Sequence, residues 1–115
     1  MNDRFTISLL LDYYGPLLTD KQNDIMDLYI NNDLSLKEIS EITKTSRQAI
    51  YDIIKRCDKQ LGIYEEKLAY MEKDQKRDSD IKVLISKIDT IKESVKDDDI
   101  YNSLKELNEY IVRTF

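Results

Sequence analysis

Between Lys44 and Lys59 the chain reads KTSRQAIYDIIKRCDK. Gln48, Asp52, Lys55 and Lys59 follow one another at intervals of four, three and four residues, which on an α-helix is a single face, and Lys44 and Tyr51 flank it. The chemistry open to such a face is recognition rather than bond-making. A glutamine amide can bond an adenine edge, and a lysine ammonium suits a phosphate. An aspartate can accept from a cytosine amino group, but it also repels phosphates. Arg47 stands in the first turn, which in a reading helix lies near the backbone or groove, and Ser46 is of the type that caps such a helix. The plainer alternative is that these side chains only meet water, as charged helix faces usually do.

Catalysis finds little to work with. The 115 residues include no histidine, the side chain that most often does acid–base work near neutral pH and most often ligates metals. A lone Cys57 cannot close an internal disulfide, and its place on an apolar stripe makes it core rather than a reactive thiol. Neither a signal peptide nor an apolar run of roughly 18 residues is found, so the expected setting is the cytoplasm, with no membrane contact. ISLLLDYYGPLL comes nearest to a signal, but Asp12 interrupts its apolar centre and it reads as a core helix. Asp97, Asp98 and Asp99 lack calcium-loop spacing and are expected to cap the last helix at its positive end. No metal, cofactor or catalytic residue is expected, and the chain is not read as an enzyme. Most of the eight tyrosines fall on inward stripes and read as packing with polar tips.

Positioning the Lys44–Lys59 face falls to helices. A charged fraction of 36% beside 41% apolar residues, with two glycines and one proline as breakers, predicts an all-α chain of one domain. The first helix is expected from about Asp3 to Tyr14, with Phe5, Leu9, Leu10, Tyr13 and Tyr14 on or near one stripe and Gly15-Pro16 as its stop. Thr19-Asp20-Lys21-Gln22 and Ser35-Leu36-Lys37-Glu38 both have capping-box spacing, and Leu34 with Ile39 occupies the two positions of a hydrophobic staple. The helix begun at Ser35 must end by about Thr43. A new one starts at Thr45 or Ser46, and Gln48 completes a third box if Thr45 is the cap.

From there Ile50, Ile54, Cys57, Leu61, Tyr64, Leu68 and Met71 keep a heptad seam, which predicts one long helix bent or weakened at Gly62. DQKRDSD, residues 74–80, has no apolar residue and reads as a linker or as the exposed overlap of two helix ends. Ile81, Leu84, Ile88, Ile91 and Val95, then Ile100, Leu104, Leu107, Ile111 and Phe115, form two further stripes. These can pair as a hairpin, pack on the long helix, or form a seam with a second chain. The expected organisation is a helix-turn-helix domain over residues 1–73 and a helical tail over 74–115, packed on the same core or on a dimer partner.

The segment from Leu18 to about Leu61 resembles the helix-turn-helix of sigma-factor region 4, with its opening L-T, the S-x-x-E-I pattern at Ser35 to Ile39, a turn, and S-x-x-x-I at Ser46 to Ile50. More narrowly, YYGPLLTDKQ, DLSLKEIS, SRQAIYDIIKR and YEEKL are similar to the YlxM family of small bacterial proteins, over roughly residues 4–72. That resemblance implies a helix-turn-helix bundle. It also implies a link to the signal recognition particle, beside whose protein such chains are usually encoded. Two departures stand out: Lys44 holds the turn position usually given to glycine or asparagine, and Thr43 and Thr45 flank it where apolar residues are usual. A lysine there must go left-handed at some cost, or the turn is built differently.

Charge is distributed unevenly. The chain carries −5, yet residues 35–60 hold six basic and four acidic residues. That concentration fits phosphate contact, though weak and salt-sensitive. Two functions follow. One is a regulatory DNA binder whose Ser46 helix enters the major groove through Lys44, Ser46, Arg47, Gln48, Tyr51, Lys55 and Lys59. The other is an adaptor that contacts the protein or RNA of the signal recognition particle. The three seams exceed what one three-helix arrangement needs, which predicts a homodimer.

Overall fold

The computed structural model describes residues 2–115, and among them are six α-helices, one 3-10 turn and no strand. α1 (Arg4–Tyr14) is capped by Asp3, whose carboxylate accepts from Thr6 N at 2.7 Å. Its inward stripe is Ile7, Leu10, Leu11 and Tyr14. Phe5, expected on that stripe, is 74% exposed, because two residues before Ile7 is about 200° around the helix. The Gly15-Pro16 stop becomes a 3-10 turn, Gly15–Leu17. Only glycine fits easily at its start, where a Cβ would stand 3.2 Å from Asn23 Oδ1.

Both predicted capping boxes form. In α2 (Asp20–Ile30), Gln22 N donates to Thr19 Oγ1 at 3.2 Å and Thr19 N donates to Gln22 Oε1 at 3.0 Å. α3 (Leu36–Thr43) starts in the same way, and α4 (Arg47–Leu68) follows it. α4 packs against α1, α2 and α3, and Ile50, Ile54, Cys57 and Leu61 supply its share of a core that also holds Ile25, Met26 and Ile39. Burial pushes the Cys57 thiol up from its ordinary value. α4 runs straight through Gly62 and breaks later. Ala69 takes φ 50, ψ 31, and Leu68 is half-exposed, so the seam on α4 ends at Tyr64 while Met71 packs on the core from the next helix.

That break is not marked by any glycine or proline; it is built by side chains. Glu65, one turn before the end of α4, accepts from Met71 N at 3.0 Å and Glu72 N at 3.2 Å, and so caps the start of α5 (Tyr70–Ser94). Tyr14 Oη donates to the same carboxylate at 2.5 Å and accepts from Tyr70 N at 3.0 Å. Partial burial raises the Glu65 carboxyl, but these three hydrogen bonds together outweigh it and hold the group below its ordinary value. Tyr14 moves the other way, raised by burial and by its bond to Glu65.

The chain falls into two compact units, Met1–Glu72 and Lys73–Phe115, and the boundary lies inside α5. Residues 74–80 are therefore helix interior rather than linker. The stretch has no helix breaker, and ion pairs one turn apart support it: Arg77 with Asp74, and Lys76 Nζ with Asp80 Oδ2 at 2.9 Å. In the second unit α5 and α6 (Asp98–Thr114) form an antiparallel hairpin. Asn108 Nδ2 donates to Asp89 Oδ1 at 2.8 Å, Lys92 Nζ stands 5.2 Å over the Tyr101 ring, and Ile88 and Ile111 are buried. Asp97 caps α6, accepting from Asp99 N at 2.9 Å and Ile100 N at 3.1 Å, the role expected of the aspartate run. No helix among the described residues is long and apolar enough to cross a membrane.

Candidate nucleic-acid interface

The candidate site is α3, the turn after it and the exposed side of α4. Glu38 N donates to Ser35 Oγ and Ser35 N to Glu38 Oε1, both at 3.1 Å, and the second bond holds the Glu38 carboxyl below its ordinary value. Leu34 packs on the core beside Ile39, which is fully buried, so the entry angle of α3 is set from both sides of its cap.

In the turn, Lys44 is left-handed at φ 54, ψ 39. Lys44 N and Thr45 N both donate to Ser40 O, the second at 3.1 Å, so the helix end is closed by bonds that any residue can make while the lysine bears the strain. The threonines flanking it do not leave polar atoms stranded. Thr43 Oγ1 donates to Ile39 O at 2.7 Å and Thr45 Oγ1 to Thr43 O at 3.2 Å, and Ser40 Oγ donates to Thr45 O at 2.5 Å. A hydroxyl-to-carbonyl mesh thus stands where the resemblance leads one to expect apolar contacts.

Ser46, not Thr45, caps α4, accepting from Ala49 N at 3.1 Å. No third capping box forms; Gln48 instead donates through Nε2 to Asp52 Oδ1 at 3.0 Å. The awkward aspartate is therefore hydrogen-bonded to the very side chain expected to read a base. Lys44, Ser46, Arg47, Gln48, Tyr51, Lys55 and Lys59 are all exposed, and Lys55 Nζ lies 6.0 Å above the Tyr51 ring centroid. Arg56, left out of the sequence-based set, is exposed too and lines a shallow depression with Asp52, Lys55 and Lys59. Its position beside Lys55 was the available signal.

Asp58 is the other surprise. It is 5% exposed and accepts from Asn2 N at 3.2 Å and Asn2 Nδ2 at 3.0 Å, so it anchors the start of the chain to α4. Between residues 44 and 59 the exposed charges are then five cations, Lys44, Arg47, Lys55, Arg56 and Lys59, against the single carboxylate of Asp52. Over residues 35–60, the window counted from sequence, the burial of Asp58 changes the exposed charges from six basic against four acidic to six against three, and the other two carboxylates, Glu38 and Glu41, lie on α3.

A short helix joined by a tight turn to a long one that carries an exposed cationic face defines a protein of the helix-turn-helix class. Residues 1–107 match the model of the UPF0122 family, described as "Putative helix-turn-helix protein, YlxM / p13 like", and the chain belongs to that family. A UPF0122 protein of Clostridium novyi (strain NT) is 50% identical over 113 residues, 98% of each chain. One from Clostridium perfringens (strain SM101 / Type A) is 53% identical over 112 residues, 97% of this chain and 98% of its own. A third, from Clostridium acetobutylicum, is 46% identical over 112 residues, 96% of each.

Proposed function

We propose that this chain is a cytoplasmic, non-enzymatic DNA-binding regulator whose α4 enters the major groove. The observation that carries this is the five-to-one excess of exposed cations over carboxylates along Lys44–Lys59, in a chain whose net charge is −5. Lys44, Arg47, Lys55, Arg56 and Lys59 meet phosphates, Tyr51 packs beside Lys55, and Ser46 sets the first turn. Gln48 reads a base edge with the amide atoms that its bond to Asp52 leaves over. Two reading helices, supplied by a homodimer, compensate for the modest charge of each.

The family resemblance adds a second reading, in which the same face contacts the RNA or protein of the signal recognition particle. The hydrogen-bonded Gln48–Asp52 pair favours it, because a fixed carboxylate in the middle of the face disfavours a phosphate backbone and can meet a protein cation. Binding of the purified chain to genomic DNA fragments, to the particle's RNA and to its protein, at low and physiological salt, separates the two readings. Five phosphate contacts imply a log–log salt slope of about −4.5, and Arg47→Ala/Lys55→Ala lowers its magnitude by about 2. Saturable DNA binding lost in that variant supports the DNA reading. Retention of a particle component without DNA binding replaces it.

A further inference from the structure

The two units differ sharply in how they cover their apolar residues. Of the buried hydrophobic residues, twelve form the core of the first unit, and the α5–α6 hairpin has only Ile88 and Ile111. Many of its other apolar side chains stay in the open: Leu84, Ile91, Ile100, Leu107 and Tyr110 are each between 45% and 53% exposed. A hairpin with so small an interior is far below what independently stable folds need, and association is a usual remedy. Leu104, Asn108 and Ile111 turn α6 toward α5, and Ile100 and Leu107, within about 40° of Ile111 around the helix, carry that stripe with Tyr110 out to an exposed edge. On the hairpin, Ile81, Leu84, Ile111 and Phe115 line an open groove of about 420 Å³, whose charged rim is three cations, Lys73, Lys76 and Arg77, against the one carboxylate of Asp80.

Charge says what fits there. From Lys73 to Ser94 the hairpin carries six basic and five acidic residues, and from Asp97 to Thr114 two basic and five acidic. α5 is thus slightly positive and α6 clearly negative, and beside the exposed Leu107–Tyr110 edge stand two carboxylates, Glu106 and Glu109, against one cation, Arg113, 5.8 Å over the Tyr110 ring. The groove and the stripe are complementary in polarity and in sign, and they belong to the same hairpin. That is the requirement for an isologous contact, in which two copies present the same pair of surfaces to one another.

We infer that the occupant of this groove is a second copy of the chain: Leu107 and Tyr110 of one protomer's α6 seat between α5 and α6 of the other, Glu106 and Glu109 meet the other copy's Lys73 and Arg77, and the two hairpins close a four-helix bundle. This rests on the reading of the protein as a dimer and assigns that dimer its surface; it is independent of what α4 binds.

Equilibrium sedimentation of the full chain tests it directly. Wild type is expected to be a dimer at micromolar concentration. Leu107→Glu/Tyr110→Glu raises the dimer dissociation constant by about a hundredfold or more, since it puts two charges into an apolar groove. Both side chains are half-exposed in the single chain, so the variant keeps its helicity by circular dichroism. Val112→Glu, 65% exposed and off the stripe, leaves the dimer intact. Glu109→Lys and Lys73→Glu each weaken it, and together they restore it. A monomeric wild type, a dimer indifferent to the Leu107/Tyr110 variant, or dissociation by Val112→Glu as well would overturn the assignment. DNA titrations of the same variants keep the outcomes apart: a monomer that still binds DNA refutes the surface and not the reading head.

Discussion

Replacing Glu65 by alanine takes the acceptor away from three donors at once, Tyr14 Oη at 2.5 Å, Met71 N at 3.0 Å and Glu72 N at 3.2 Å. The lost cap of α5 contributes about 1 kcal/mol. Leaving the hydroxyl of Tyr14, whose side chain is 3% exposed, without its acceptor adds about 1 to 2 kcal/mol. Glu65 is only half-buried, so water replaces part of what is lost, and the expected destabilisation in urea unfolding at neutral pH is about 2 kcal/mol. Tyr14→Phe should cost about 1 kcal/mol, and the double variant should fall short of the sum by a similar amount, because the two residues share one bond. The pH dependence follows from the direction of the shift. The folded Glu65 carboxyl lies below its ordinary value of 4.5, so its contribution is complete above that value and is lost as pH falls through the folded one. The gap between wild type and Glu65→Ala must therefore narrow in acid. A variant within about 0.5 kcal/mol of wild type, or a gap that stays constant from neutral pH into the acid range, refutes the cap.

Lys44→Gly should stabilise the chain by about 0.5 kcal/mol, since relief of left-handed strain exceeds glycine's added freedom when unfolded; a lower urea midpoint at unchanged m would contradict this. Cys57, fully buried with its thiol raised, should react with a thiol reagent only as the protein unfolds, and rapid labelling in buffer would show that α4 is not packed as described. Ile39→Ala should cost about 3 kcal/mol, whereas Phe5→Ala should change stability by less than about 0.5 kcal/mol; comparable losses at the two positions would mean the inward stripe of α1 is misplaced.

Much of the helix-turn-helix was legible because its signals are local. A capping box is complete within four residues, which is why the starts of α2 and α3 stand where Thr19 and Ser35 placed them. For Lys44, at the turn position that the resemblance gives to glycine or asparagine, two outcomes stood open, a left-handed lysine or a rebuilt turn, and the lysine is left-handed. The candidate residues could be listed from helical spacing together with the cap and first turn of the motif, and all seven are exposed, although the equally exposed Arg56 was not among them. Where sequence left two choices, as with Thr45 or Ser46 for the cap, the competing hydrogen bonds decided: Thr45 turns its hydroxyl to Thr43 O, and Ser46 takes Ala49 N.

Other features depended on partners far along the chain. The expectation that α4 would continue past Leu68 came from a heptad seam that does persist in sequence, but the helix stops where Tyr14, 51 residues away from Glu65, completes a new cap. Residues 74–80, which read as a linker or as the overlap of two helix ends because they hold no apolar residue, are helix interior, since ion pairs one turn apart carry a helix without apolar periodicity. Asp58 counted against a cationic face until Asn2, 56 residues earlier, was found holding it. Sequence alone determined that this protein is helical, where most of its helices begin, and which side of α4 is apolar, because those properties are decided within one or two helical turns. Only the tertiary structure decided where α4 ends, how cationic its exposed face is, and which apolar residues of the hairpin are left uncovered. Each of those depends on which distant groups come within hydrogen-bonding or packing distance, and that no local spacing encodes.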